Sequence, residues 1–152
     1  INLNELIEHC VAIMQPQANR DRIIIRTSLA HSLPPVYADA RALRQIALNL
    51  ITHSIRLAQA GGQVIVSTAL SDNGDVTLRV RNTGAGMSEA QIEAALEPFS
   101  AAGQPGMTPD LDLSLTKALS EANRARFAIT SNGQQQGTLV EVIFARTEAR
   151  AG

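Results

Sequence analysis

The chain has 152 residues, 45% hydrophobic and 18% charged, with thirteen basic against fourteen acidic side chains and a net charge of −1. That length suits one ordinary domain, and the near-neutral balance gives no sign of a nucleic-acid partner. No apolar run approaches the roughly 20 residues that span a bilayer, and no signal segment opens the chain, so no direct membrane contact is expected.

Apolar residues recur at Leu3, Leu6, Ile7, Cys10, Val11 and Met14, the three-four spacing of a helix that buries one face and runs to about Asn19. Asn2 and Asn4 are both candidate caps. Cys10 is the single cysteine, which excludes an internal disulfide or a multi-cysteine metal site and fits cytosolic chemistry. The β-branched stretch "RIIIRTSL" (22–29) predicts a strand, and "SLPPVYAD" then turns the chain stiffly toward Asp39, a cap for a second helix. That helix is expected over about Ala40 to Ala58, burying Leu43, Ile46, Ala47, Leu50, Ile51, Ser54 and Leu57, until Gly61 and Gly62 stop it. "QVIVSTAL" (63–70) and "VTLRVRN" (76–82), joined through Asp72, Asn73, Gly74 and Asp75, read as a hairpin. Val76, Leu78 and Val80 alternate with Thr77, Arg79 and Arg81, which predicts one buried and one wet face. "SEAQIEAAL" (88–96) predicts a short helix capped by Ser88, and a loop of about fourteen residues follows. A helix from about Leu111 to Asn123 and strands "RFAITS" and "TLVEVIFA" complete a domain over 1–145, with a tail over 146–152. This order fits an α+β two-layer sandwich, a mixed and mostly antiparallel sheet with helices packed on one face.

Three clusters carry candidate chemistry. On the second helix, Asn49 and His53 are one turn apart and Arg56 three residues further. At about 100° per residue they share a stripe roughly 60° wide that is able to face one ligand, the alternative being a solvated polar face. "RNTGAGM" (81–87) leaves a strand with Gly84 and Gly86, which let the backbone turn and approach a planar ligand, and with the amide of Asn82. Taken alone it is also an ordinary turn. "EPF" (97–99) places Phe99 at the head of the long loop, as a loop anchor or as ordinary packing.

Together and in this order, these segments resemble the ATP-binding catalytic domain of sensor histidine kinases, within the GHKL ATPase superfamily. The likeness spans nearly the whole chain. "VYADARALRQIALNLITHSIRLAQAGGQVIVS" is similar to the N-box region, "VTLRVRNTGAGMSEAQIEAALEPFS" to the first glycine box and phenylalanine box, and "LDLSLTKALSEANRARFAITSNGQQQGTLVEVIF" to the stretch from the second glycine box to the final strand.

The resemblance implies cofactor positions residue by residue. Asn49 keeps the first N-box asparagine, a magnesium ligand; His53 stands where the second belongs, and Arg56 keeps the charge of the usual lysine. Leu57 replaces the aromatic residue near the adenine. Asn82 stands for the aspartate that accepts from the adenine amino group, with Gly84 and Gly86 retained. In the second glycine box Thr108, Asp110 and Asp112 align with glycines, and Pro109 lies between the first two. Proline has no amide hydrogen, non-glycine residues resist positive φ, and carboxylates repel a triphosphate. Asp110 and Asp112 also suit a helix's first turn.

The function this implies is the ATP-binding catalytic domain of a two-component sensor histidine kinase acting in a phosphorelay, with nucleotide binding and kinase activity impaired. Its cofactors are ATP and Mg where nucleotide binding is retained, and none otherwise. The partners implied are the helical phosphoacceptor and dimerisation domain of the same protein, and a response regulator or other signalling protein. No phosphoacceptor is evident, since His9, His31 and His53 lack the usual histidine, acid, basic, proline surroundings. The alternative is a pseudokinase regulatory module working through protein contacts without nucleotide; a third class is a stand-alone phosphotransferase or anti-sigma-type switch. Because the first residue is Ile1, a piece of a longer protein is expected, cytoplasmic and compatible with a membrane-anchored whole.

Overall fold

A computed structural model describes residues 1–58, 61–84, 90, 92, 113–131 and 137–145. The elements are α1 (Leu3–Arg20), β1 (Ile24–Ser28), α2 (Ala40–Leu57), β2 (Gln63–Leu70), β3 (Val76–Asn82), α3 (Leu113–Ala122), β4 (Ala125–Thr130) and β5 (Thr138–Phe144). Of the short helix expected over 88–96, Ala90 and Ile92 are described and both are helical; its other residues and the tail over 146–152 lie outside the described residues.

The strands form one sheet in the order β1-β2-β3-β5-β4. β1 runs parallel to β2 and every other pair is antiparallel, so the sheet is mixed, as expected. A parallel neighbour requires a crossover, and α2 supplies it. One sheet face is buried beneath the helices through Val64, Val66, Leu78, Val80, Val140 and Val142, which meet Ile46, Leu50 and Ile51 of α2 and Leu3, Ile7 and Cys10 of α1 in a single core. Burying a side chain of this size contributes about 1.5–3 kcal/mol. Burial also pushes the Cys10 thiol above its ordinary pKa, against an opposing pull from Arg44, so it packs as a small hydrophobe rather than a nucleophile.

Local capping sets where the helices begin. Asn2 caps α1 by accepting from the Glu5 amide at 3.1 Å, and Asp39 caps α2 by accepting from the Ala42 amide at 3.0 Å. Asn4, the other candidate cap, does different work. Its Nδ2 donates to the Ala30 carbonyl at 2.7 Å, and its Oδ1 accepts from the Thr68 hydroxyl at 2.8 Å, while Thr68 Oγ1 accepts from the Ala30 amide at 2.9 Å. This triangle pins α1, the segment after β1 and β2 together. At the other end of the helical layer, Asn123 accepts from the Asp39 amide at 2.8 Å. The end of α3 thus sits beside the start of α2, so the two helices run antiparallel.

Candidate nucleotide site

Asn49 and His53 occupy the side of α2 nearest α3, and a solvated polar face does not describe them. Asn49 is 4% exposed, its Oδ1 accepting from Gln45 Nε2 at 2.6 Å and its Nδ2 donating to Thr116 Oγ1 at 3.2 Å. Thr116 is fully buried, and one turn further Ser120 Oγ donates to the Thr116 carbonyl at 2.8 Å. These groups form a polar seam through otherwise apolar helix packing, and each satisfied member avoids the 1–3 kcal/mol cost of a buried unpaired group, a cost of that order being typical. Since α3 begins at Leu113, the seam brings the first turn of α3 against the Asn49 turn of α2.

One turn on, His53 is half-buried and its Nδ1 has no hydrogen-bond partner. Burial, with the Arg56 guanidinium adding to it, pushes its pKa from the ordinary 6.5 down to about 4. The imidazole is therefore neutral at physiological pH. Between those two values the unfolded chain binds a proton that the folded chain refuses, so stability falls as pH drops through that window. His53→Asn is expected to flatten the fall, whose upper bound is about 3 kcal/mol at 1.36 kcal/mol per unit. Urea denaturation from pH 7 to pH 4 measures it; an unchanged slope would show that His53 does not carry the effect. Arg56 is exposed.

A second cluster lies where β3 and β5 end and begin together. Asn82, 1% exposed, pairs in register with Thr138. Its Oδ1 accepts from the Thr138 amide at 3.2 Å, and its Nδ2 donates to the Thr83 carbonyl at 3.1 Å. A carboxylate in this place could not make the second bond, so the amide suits the local backbone. Gly84 has φ +100° and its carbonyl accepts from the Gly137 amide at 3.1 Å. Thr83 and Gln63 exchange backbone and side-chain bonds, which holds the strand end to β2.

Thr138 Oγ1 is buried and, like His53 Nδ1, without a partner; among the described residues these two atoms are the orphans. His53 belongs to a cluster that the sequence singles out, and Thr138 pairs with Asn82 of another, although neither Thr138 nor Thr116 is itself a candidate from sequence. The "GT" that opens the last strand and the threonine inside "LSLTKAL" were the available signals. Gly86, Phe99, Thr108, Asp110 and Asp112 lie outside the described residues, as does Pro109.

The donor set around α2 does not suit magnesium, a hard ion that takes oxygen ligands in a strict octahedron. Asn49 offers one neutral oxygen already accepting from Gln45, and His53 offers a neutral nitrogen. No group of three or more His, Cys, Asp or Glu able to hold a metal occurs among the described residues. A cavity of about 520 Å³ opens elsewhere, lined by Leu6, His9 and Cys10 of α1 and Ala40, Arg41 and Arg44 of α2 among others, and none of the clustered residues reaches it.

The sequence model of a family described as histidine kinase-, DNA gyrase B-, and HSP90-like ATPase matches residues 38–148. Over 163 aligned residues the chain is 48% identical to the cell-division control histidine kinase PdhS of Brucella canis and 47% identical to that of Brucella ovis, covering 99% of this chain in each case. It spans 16% of the length of those relatives. Among solved structures, the nucleotide-free catalytic domain of histidine kinase ThkA superposes with a TM-score of 0.83 at 20% identity, covering 97% of this chain and 94% of that one. Full-length ShkA in complex with AMPPNP superposes with a TM-score of 0.81 at 25% identity, covering 97% and 31%.

Proposed function

The chain belongs to the histidine kinase-, DNA gyrase B-, and HSP90-like ATPase family as an ATP-binding catalytic domain of the histidine-kinase type, and on that premise we propose that it serves a two-component phosphorelay with its Mg-nucleotide binding weakened. The observation that carries the second half is His53, a neutral imidazole with an unpartnered ring nitrogen one turn from Asn49. Supporting it are Asn82, whose amide is engaged by Thr138 and Thr83, and the residues Thr108, Pro109, Asp110 and Asp112 in place of phosphate-cradling glycines.

In this reading Asn82 and Thr138 face the base, with Gly84 and Gly86 letting the backbone approach it. Asn49, His53 and Arg56 face the phosphates, and Arg56 supplies the positive charge. Phe99 anchors the loop that leads to the second glycine box. Thr116 holds Asn49 in place. The partners are the phosphoacceptor domain of the same protein and a response regulator; ThkA has been solved in complex with the response regulator TrrA. The second reading, a regulatory module that acts without nucleotide, draws on the same substitutions.

Titration calorimetry separates weakened from ordinary binding. The chain is expected to show no saturable Mg-ATP isotherm in the micromolar range. A clear micromolar isotherm sinks the weakened reading, and a millimolar one favours it over the nucleotide-free module.

A further inference from the structure

The helices cover one face of the sheet; among the described residues nothing covers the other. The strand register defines that open face row by row. One row runs Arg26, Ile65, Arg81, Leu139, Thr130, and the next Ser28, Ser67, Arg79, Glu141, Ala128. A third places Thr77, Ile143 and Arg126 side by side. Ile24 flanks them, 52% exposed at the edge of β1.

Charge on this face is lopsided. Four arginines stand against one carboxylate, Glu141, and a second at the rim, Asp75. Arg79 Nε meets Glu141 Oε2 at 2.8 Å, and Arg126 reaches Asp75 at 3.5 Å. The side chains of Arg26 and Arg81 are exposed and, among the described residues, make neither a hydrogen bond nor an ion pair. Separated by one strand, they stand about 10 Å apart with Ile65 between them. Half-buried Ile65, Leu139 and Ile143 add apolar surface among the charges.

We propose that this open sheet face docks an acidic, partly apolar surface of another domain of the same polypeptide, with Arg26 and Arg81 as the paired contacts for its carboxylates. Charge complementarity selects the occupant. A second copy of this face would set arginine against arginine, and like charges at close range cost rather than gain. Nucleic acid meets Glu141 in the middle of the patch and, among the described residues of these rows, finds no aromatic side chain to stack on. Area selects the tethered partner over a free one. Five strands at about 4.8 Å spacing and some 20 Å of strand length give about 480 Å² per side, or about 960 Å² over both surfaces, below the roughly 1,200–2,000 Å² of a stable free complex and within the roughly 600–1,500 Å² of contacts between domains of one chain. Tethering supplies an effective concentration that makes so small a patch sufficient. The proposal stands whether or not nucleotide is bound.

The test uses the full-length protein carrying Arg26→Lys and Arg81→Lys, which keep both charges and add amines that a zero-length carbodiimide can couple to a carboxylate in ion-pair contact. Lys117 is the single lysine of the chain and lies 2.9 Å from Glu121, so coupling there is a built-in positive control. Peptide mapping is expected to find positions 26 and 81 joined to an Asp or Glu outside these 152 residues, with yield falling about fivefold in 0.5 M salt as screening shortens. No coupling at 26 and 81 while Lys117 couples overturns the proposal. So do links found only between the 152-residue segments of two copies. Binding of a 20-nucleotide DNA or of phosphatidylserine vesicles that is lost in Arg26→Glu/Arg81→Glu overturns it as well, in favour of those occupants.

Discussion

Gly137→Ala is expected to lower the unfolding free energy by about 3–5 kcal/mol, a large part of the roughly 5–15 kcal/mol that holds a domain of this size together. Gly137 has φ +76°, which costs an alanine about 1–2 kcal/mol. The added Cβ would also lie 1.9 Å from the Asn82 carbonyl oxygen and 3.0 Å from its carbon. Those are backbone atoms, held where β3 pairs with β5, so no side-chain rotation relieves the overlap. Gly61→Ala is the control. Its φ is +90° and nothing lies within 4 Å of a Cβ there, so only the backbone term of about 1–2 kcal/mol should remain. Urea denaturation of both variants decides the matter: equal losses would mean that the strand end yields and that the close approach to Asn82 carries no energy. Since the same contact aligns Asn82 with Thr138, the variant also tests whether the candidate base-facing cluster depends on β5 being drawn in tightly.

Much of this fold was legible because local patterns and tertiary demands agree. Asn2 and Asp39 cap the helices they precede, and the hairpin spans the residues that the alternation of Val76, Leu78 and Val80 indicated. Where the reading stopped short, long-range contacts decide. Asn4 looked like a cap and is instead a rivet to Ala30 and Thr68. Thr77 belongs to the wet face by alternation yet is 7% exposed, lying on a central strand between Ala69 and Ile143 in register. Asn49 sits on a helical stripe that could as well be solvated; its bond to Thr116 of α3, 67 residues away in sequence, is the long-range contact that the stripe does not reveal. Thr138 escaped notice for the same reason, since its pairing with Asn82 joins residues 56 apart.

The site's polar atoms divide by how well the fold satisfies them. Asn49 and Asn82 each have both amide atoms engaged within the protein. His53 Nδ1 and Thr138 Oγ1 are buried with none. A buried polar group without a partner costs about 1–3 kcal/mol, and a ligand group able to bond either atom would recover part of that. Each orphan therefore leaves one bond that a ligand at its own cluster could complete, while the neutral imidazole disfavours magnesium beside His53.

His53→Asn combined with Asp110→Gly and Asp112→Gly is expected to raise Mg-ATP affinity by at least about tenfold, equivalent to about 1.4 kcal/mol. An asparagine one turn after Asn49 replaces a nitrogen ligand with an oxygen that the hard cation accepts. Each carboxylate opposes a phosphate charge by about 1 kcal/mol at 4 Å in water, and by more where water is excluded. Glycines in their place also allow the amides at the start of the helix to approach the anion. Calorimetry on His53→Asn alone, on the two glycine substitutions alone and on the triple variant apportions the gain. No gain from the glycine pair would show that the second glycine box is misaligned, and no gain from His53→Asn would show that the imidazole is not what keeps magnesium away. Pro109 stays in all three variants and still lacks an amide hydrogen, so affinity should stop short of a fully glycine-lined loop. The glycines should meanwhile cost about 0.4–1 kcal/mol each in stability through the freer unfolded chain. Affinity rising while stability falls would separate repair of a ligand site from general strengthening of the fold, which would move both upward.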